Sequence, residues 1–256
     1  YNISADEHSA CRQIFIPQMS DSPAFSEWEP IYTAILADFG FERAADERAR
    51  DVAADVATPF DHDRLAALDG APVAVVGAAP SLPDELTAFD PTSVDAIVAA
   101  STAVDVLSDA GLSVDLMMTD LDKNVETARD LTRSGTPVAA HAHGDNIPTV
   151  RGWLPQFEGE QTLVTTQAAP RGPVKNFGGF TDGDRAAFLA HAFGASDLRF
   201  LGWAFDDPAV DPMKARKLRW AEHLLYWLEQ RRDERFGVLA GRRDSLTTAL
   251  TSLTTG

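Results

Sequence analysis

The sequence predicts an α/β fold: a mostly parallel sheet with helices on both faces, an N-terminal helical region and a long C-terminal helix. Short apolar, β-branched runs recur from residue 73 onward, and segments of crossover-helix length separate them. The residues that follow several of these runs are also unlike ordinary loop sequence. In a sheet of this kind the ligand site lies at the carboxyl ends of the strands, so these junctions are where chemistry is expected.

Ahead of the alternation, Ile31, Ile35, Leu36 and Phe39 recur at helical spacing over residues 26–41, with Gly40 where a cap belongs. The alanine-rich stretch 44–56 is helical in composition. Runs 73–76, 96–100, 114–118, 138–140, 163–166 and 198–201 read as six strands, with helices over 102–110, 125–134 and 184–193 between them. Over 213–236, Leu218, Ala221, Leu224, Leu225 and Leu228 fall on one stripe, a long helix packed on the sheet. The chain divides into a disordered or non-native extension (1–22), a helical region (23–70), a main α/β domain that includes the last helix (71–245) and a fraying tail (246–256). Met19, with the polar residues after it, is a more natural start than Tyr1.

Composition narrows the function classes. With 39 acidic against 22 basic residues the formal charge is -17, aspartate far outnumbers glutamate, and the lysines are Lys123, Lys175, Lys214 and Lys217. Such a surface suits a salt-adapted, halophilic protein, since self-repulsion is screened when the Debye length falls to about 3 Å. It lacks the basic patch that nucleic acid requires. No run is long enough for a membrane helix and no basic-then-apolar leader is present, which reads as cytoplasmic. The single Cys11 excludes an internal disulfide and a thiolate zinc site. A homo-oligomer is compatible with the chain but nothing in the sequence specifies it.

Four junctions carry the candidate site. After the first strand, the small-residue turn at 77–82 contains Gly77 and leads into a helix that Ser81 could cap, leaving amides for phosphate; a plain strand-to-helix turn explains it equally well. After the third, Thr119-Asp120-Leu121-Asp122 sets two carboxylates two apart, pointing the same way if the strand continues. Such a pair, completed by water and substrate phosphates, is how magnesium is held in phosphoryl-transfer sites. A solvated acidic loop is the alternative. After the fourth, His141-Ala142-His143-Gly144-Asp145-Asn146 offers Asp145 as a further magnesium ligand or base. It also suggests half of a binuclear zinc site, for which only His191 and His223 remain downstream, both in helices. After the fifth come Gln167 and the glycine cluster at 176–185, where Gly178 and Gly179 allow close backbone approach. There Thr181 or Asp182 can cap a helix, and Arg185 in its first turn could reach a phosphate. A flexible lid or elaborate cap would use the same residues. Neither a Walker loop nor a Gly-x-Gly-x-x-Gly fingerprint is present.

Taken together, the 77–82 turn, Thr119 to Asp122, the string HAHGDN at 141–146, Thr166-Gln167 and the string NFGGFTDGDR at 176–185 resemble the archaeal 6-hydroxymethyl-7,8-dihydropterin diphosphokinase family, the MptE-like proteins. The resemblance covers most of the chain from Trp28 onward. It implies ATP and a reduced pterin as substrates, AMP as by-product, a place in tetrahydromethanopterin or folate biosynthesis, and kinship with thiamin diphosphokinases, whose acidic pair at a strand end binds magnesium. On this reading Asp120, Asp122 and Asp145 hold Mg2+, and Asp145 and Arg185 take part in catalysis. Gly77, Ser81, Gly178, Gly179, Thr181 and Asp182 hold phosphate, and Gln167, Asn176, Phe177, His143 and Asn146 contact the pterin. Ala204 departs from the pattern where an aspartate is expected. A related transferase with thiamin or a sugar as acceptor, and a non-catalytic nucleotide-binding module, are the alternatives.

Overall fold

The computed structural model describes residues 24–246. The extension at 1–22 and all of the 246–256 tail but its first residue lie outside that span, as do Cys11 and Met19. Six parallel strands, β1 (Pro72–Val76), β2 (Ala96–Ala100), β3 (Leu116–Thr119), β4 (Val138–Ala142), β5 (Thr162–Thr166) and β6 (Asp197–Leu201), form one sheet in the order β5-β4-β3-β2-β1-β6.

This order follows from the handedness of strand crossovers. The steps from β1 to β5 all run in one direction, so their right-handed connections place α3 (Leu82–Ala88), α4 (Ala103–Asp109), α5 (Val125–Ser134) and α6 (Ile147–Trp153) on one face. The return from β5 to β6 runs the other way and lays α7 (Asp182–Ala192) on the opposite face, where it packs across β1, β2 and β3. The long helix α8 (Pro212–Arg232) then packs on α7. Alternate strand residues serve the two cores: Val73, Val75 and Val98 face α7, while Ala74, Val76 and Ala99 face α3 and α4.

The N-terminal helices are not a separate layer. Helix α1 (Phe25–Phe39) buries Trp28, Ile31, Tyr32 and Ile35 in the core beneath α7 and α8. Helix α2 (Arg43–Ala54) instead buries Ala49 and Ala53 on the other face, against α6 and the ends of β4 and β5. The hairpin therefore straddles the edge of the sheet at which the candidate residues emerge.

Helix α6, with Pro148 in its first turn, lies in a stretch the sequence leaves unassigned. The last helix ends at Arg232 rather than 236, because Asp233 turns left-handed (φ 50°) and the chain folds back to bury Phe236. That reversal is pinned by fully buried Glu229, whose carboxylate accepts from the Phe236 N–H at 2.6 Å and pairs with Arg243 through both oxygens at 2.8 and 2.6 Å. No helix among the described residues is long and apolar enough to cross a membrane. Arg243→Ala strands Glu229 in the core and is expected to lower unfolding free energy by about 3 kcal/mol. Urea unfolding checks this, and a change under about 1 kcal/mol would show that the pair does not hold the reversal.

Candidate active site

Strand β3 stops at Thr119, so the two aspartates do not share a face through strand periodicity. They are brought together by a tight turn. Leu121 adopts φ 64° and donates its N–H to Thr119 Oγ1 at 3.0 Å, and the Asp122 N–H reaches Asp120 Oδ1 at 3.3 Å. The buried Leu121 side chain anchors the turn in the core, and the carboxylates remain at the strand ends.

A third carboxylate joins them, and it is not the expected one. Asp145 is exposed on the short 3-10 turn Gly144–Asn146, with no hydrogen bond or ion pair to the aspartate pair. Its place is taken by Asp182, at the start of α7, whose side chain is 15% exposed and feels both Asp120 and Asp122. The three groups share charge unevenly. Burial works against ionisation of Asp120, but His143, Asp122 and Arg185 together hold its carboxyl well below the usual carboxylate range. His143 Nε2 lies 3.7 Å from Asp120 Oδ2. Asp122 is pushed up to about 6 by lost solvation and then by Asp120, with Lys123 and Lys217 opposing the shift. Asp182 is pushed up to about 8 by burial and then by Asp120, with Arg185 opposing. An excess of hard oxygen charge that no protein cation fully neutralises is the setting that suits a hard divalent cation. Among the described residues no three His, Cys, Asp or Glu side chains are arranged to hold a metal by themselves. Any divalent cation at these residues would therefore need water or substrate oxygens to complete its coordination.

Helix α7 begins in a rigid corner. Asp184 accepts from the N–H groups of Phe180 and Thr181 at 2.8 and 2.6 Å and from the Thr181 hydroxyl, so Thr181 is the N-cap. Gly179, at φ 90°, lies so close to the helix that a Cβ would come within 2.6 Å of the Arg185 Cα. Arg185 does not point outward as a phosphate clamp. It is 5% exposed and donates inward, from Nη1 to Asp182 at 3.3 Å and from Nη2 to Gln167 Oε1 at 3.2 Å.

The remaining expected residues divide between wall and frame. Asn146 donates to the carbonyls of Asp120 and His141 at 2.6 and 2.7 Å, and Asn176 to those of Gln167 and Ala168 at 2.9 and 2.8 Å, so both carboxamides staple backbone. Phe177 is a core residue packed on Phe193. Gly178, at φ 91°, donates its N–H to Asn176 Oδ1. At the first junction, the Gly77 and Ala79 N–H groups donate to Leu201 and Gly202 carbonyls, and a Cβ on Gly77 would meet the Gly202 carbonyl at 2.6 Å; that glycine serves strand contact. Ser81 makes no helix-capping bond and donates to Glu85 at 2.6 Å instead. The zinc alternative gains nothing, because His191 sits against Arg232 and His223 against its own helix, away from His141 and His143. His141 is buried, with Nδ1 2.9 Å from Thr165 Oγ1 and its proton affinity depressed by burial and by Arg185.

Four contributors were not foreseen. Lys217 reaches the electrostatic field of Asp122 from α8, as Lys123 does from the turn, and neither makes an ion pair among the described residues. In a chain with four lysines, that scarcity was the available signal. Asp46 and Tyr32 come from the N-terminal helices. Asp46 lies with Ala49 and Ala53 on the buried stripe of α2, and a carboxylate on an apolar stripe was the signal there.

A family model described as "6-hydroxymethylpterin diphosphokinase MptE-like" matches residues 53–208. Three proteins named 6-hydroxymethyl-7,8-dihydropterin pyrophosphokinase are similar to the chain. That of Methanothermobacter thermautotrophicus is 37% identical over 81% of this chain and 96% of its own. That of Pyrococcus furiosus is 34% identical over 80% and 94%, and that of Methanocaldococcus jannaschii 29% over 80% and 95%.

With Asp122 and Asp182 titrating above an unfolded aspartate, the folded protein holds extra protons from about pH 4 to about pH 8. Their raised proton affinity therefore makes the metal-free fold lose stability progressively as pH rises through that window. In chelator, Asp182→Asn should gain melting temperature over the parent as pH rises from 5 to 8.5. A pH-independent difference would refute the assignment.

Proposed function

The chain belongs to the 6-hydroxymethylpterin diphosphokinase MptE-like family, and on that premise we propose that it transfers diphosphate from ATP to the hydroxymethyl group of 6-hydroxymethyl-7,8-dihydropterin, releasing AMP. The observation that carries this reading is the cluster of Asp120, Asp122 and Asp182 at the strand ends, with Lys123 and Lys217 at its rim. The product would feed tetrahydromethanopterin or folate synthesis, and the acidic surface fits work in concentrated salt.

In the reaction, the pterin hydroxyl oxygen bonds to the β-phosphorus, the bond from that phosphorus to the α,β-bridging oxygen breaks, and AMP departs with that oxygen. Magnesium, held by Asp120 and Asp122, would supply neutralisation of the phosphate charge that grows as this happens. The chain's own part is mostly positioning. The Thr119–Asp122 turn fixes the carboxylates, the α7 corner fixes Asp182, and Arg185 supplies an immobile positive charge behind them. Lys123 and Lys217, which make no ion pair among the described residues, would meet phosphate oxygens at the rim. Asp145, exposed on its turn, is the candidate acceptor of the hydroxyl proton, and its contribution is the smaller one.

In concentrated potassium chloride with magnesium, AMP should appear only when the reduced pterin is present, and Asp122→Ala should lower its kcat by roughly 100-fold or more. Retained activity in that variant would sink the metal assignment. AMP release with thiamin but not the pterin would redirect the acceptor, and ADP would refute diphosphate transfer.

A further inference from the structure

A buried relay connects the N-terminal helices to the carboxylate cluster. Asp46, 4% exposed, accepts from Tyr32 OH at 2.8 Å and Gln167 Nε2 at 2.7 Å on Oδ2, and from the Gly144 N–H at 2.8 Å on Oδ1. A carboxylate only accepts, so it fixes which end of the Gln167 amide faces it. Gln167 must present Nε2 to Asp46 and thereby Oε1 to Arg185 Nη2, at 3.2 Å. With the amide turned over, two donors would oppose one another at Arg185. The backbone of Gln167 is held as well, by Trp28 Nε1 at 2.9 Å and Asn176 Nδ2 at 2.9 Å, so a reversal could not be absorbed by moving the loop.

We propose that Asp46 is a positioning residue for the transfer reaction: by fixing the polarity of the Gln167 amide it aims the Arg185 guanidinium at Asp182. Arg185 cannot aim itself. Among the described residues its Nε finds no acceptor, and its side chain is 5% exposed. Asp46, Tyr32 and Trp28 all lie before residue 53, where the family match begins, so this relay ties a peripheral hairpin to the catalytic core. The inference rests on the proposed diphosphate transfer for its catalytic meaning, though not for its hydrogen-bond geometry.

The test is a polarity swap. Asp46→Asn puts a donor where two donors converge, and Gln167→Glu sets a second carboxylate against Asp46. With both changes made, the carboxamide nitrogen at position 46 donates to the carboxylate at position 167, which still accepts from Arg185. The carboxamide oxygen at 46 still accepts from Gly144, and Tyr32 can rotate its hydroxyl to accept. The net charge is unchanged. Each single variant should lose at least 10-fold in kcat for pterin-dependent AMP release and a few degrees of melting temperature. The double variant should return to within about 3-fold of the parent and recover most of the melting loss. If either single variant is too unstable to purify, an active, folded double variant meets the same expectation. Full activity in Asp46→Asn, or a double variant no better than the worse single one, overturns the proposal. So does recovery of melting without recovery of kcat, because that is what a purely structural role predicts. If the parent itself makes no AMP with the pterin, the functional reading fails, and melting alone then decides the relay: additive losses refute it and recovery upholds it.

Discussion

A guanidinium buried in the first turn of a helix is the constraint on which the site depends. The N-terminal end of a helix already carries partial positive charge, so a cation there is disfavoured by the dipole and again by desolvation. Arg185 occupies that position on α7 because carboxylates surround it: Asp182 in direct contact, Asp120 within its field. Those carboxylates are in turn more numerous than one arginine can neutralise, which leaves Asp122 and Asp182 proton-hungry and the cluster receptive to a further cation. Folding the cluster and preparing it for the metal-bound polyphosphate proposed as its ligand are thus one electrostatic problem, in which each group is tolerated only with the others present.

The topology makes this meeting possible. Four crossovers stepping one way leave a face open, and the single return connection lays α7 across β1 to β3 with its N-terminus over their carboxyl ends. The chain's formal charge is -17, so a cation-rich pocket cannot come from its overall composition. The site works through local arrangement, with two of the four lysines brought to the rim of the aspartates from a turn and from α8.

Much of this was legible in the sequence. All six strands lie where the apolar runs place them, to within two residues at each end, because runs of buried-strand length bounded by helical segments admit few other readings. The aspartate pair and the α7 corner were visible as motifs. What was not legible are directions and partners. Arg185 reads as a residue that reaches out, whereas Gln167 and Asp182 hold it in. The sequence offers Thr181 or Asp182 as the cap and Asp145 as a ligand; Thr181 takes the cap, and the return crossover carries Asp182, not Asp145, to the aspartates. The long helix stops four residues early because buried Glu229 needs Arg243 from beyond it. Each of these depends on a contact between segments far apart in sequence, which no local pattern encodes.

In the proposed reaction the carboxylate cluster at the strand ends receives the metal-bound nucleotide. The most direct measurement is a crystal structure with manganese and α,β-methylene-ATP, which cannot undergo the transfer, using anomalous scattering to locate the metal. A manganese peak is expected between Asp120 and Asp122, in contact with the β-phosphate. A metal or nucleotide bound elsewhere, with these aspartates uncoordinated, would contradict it.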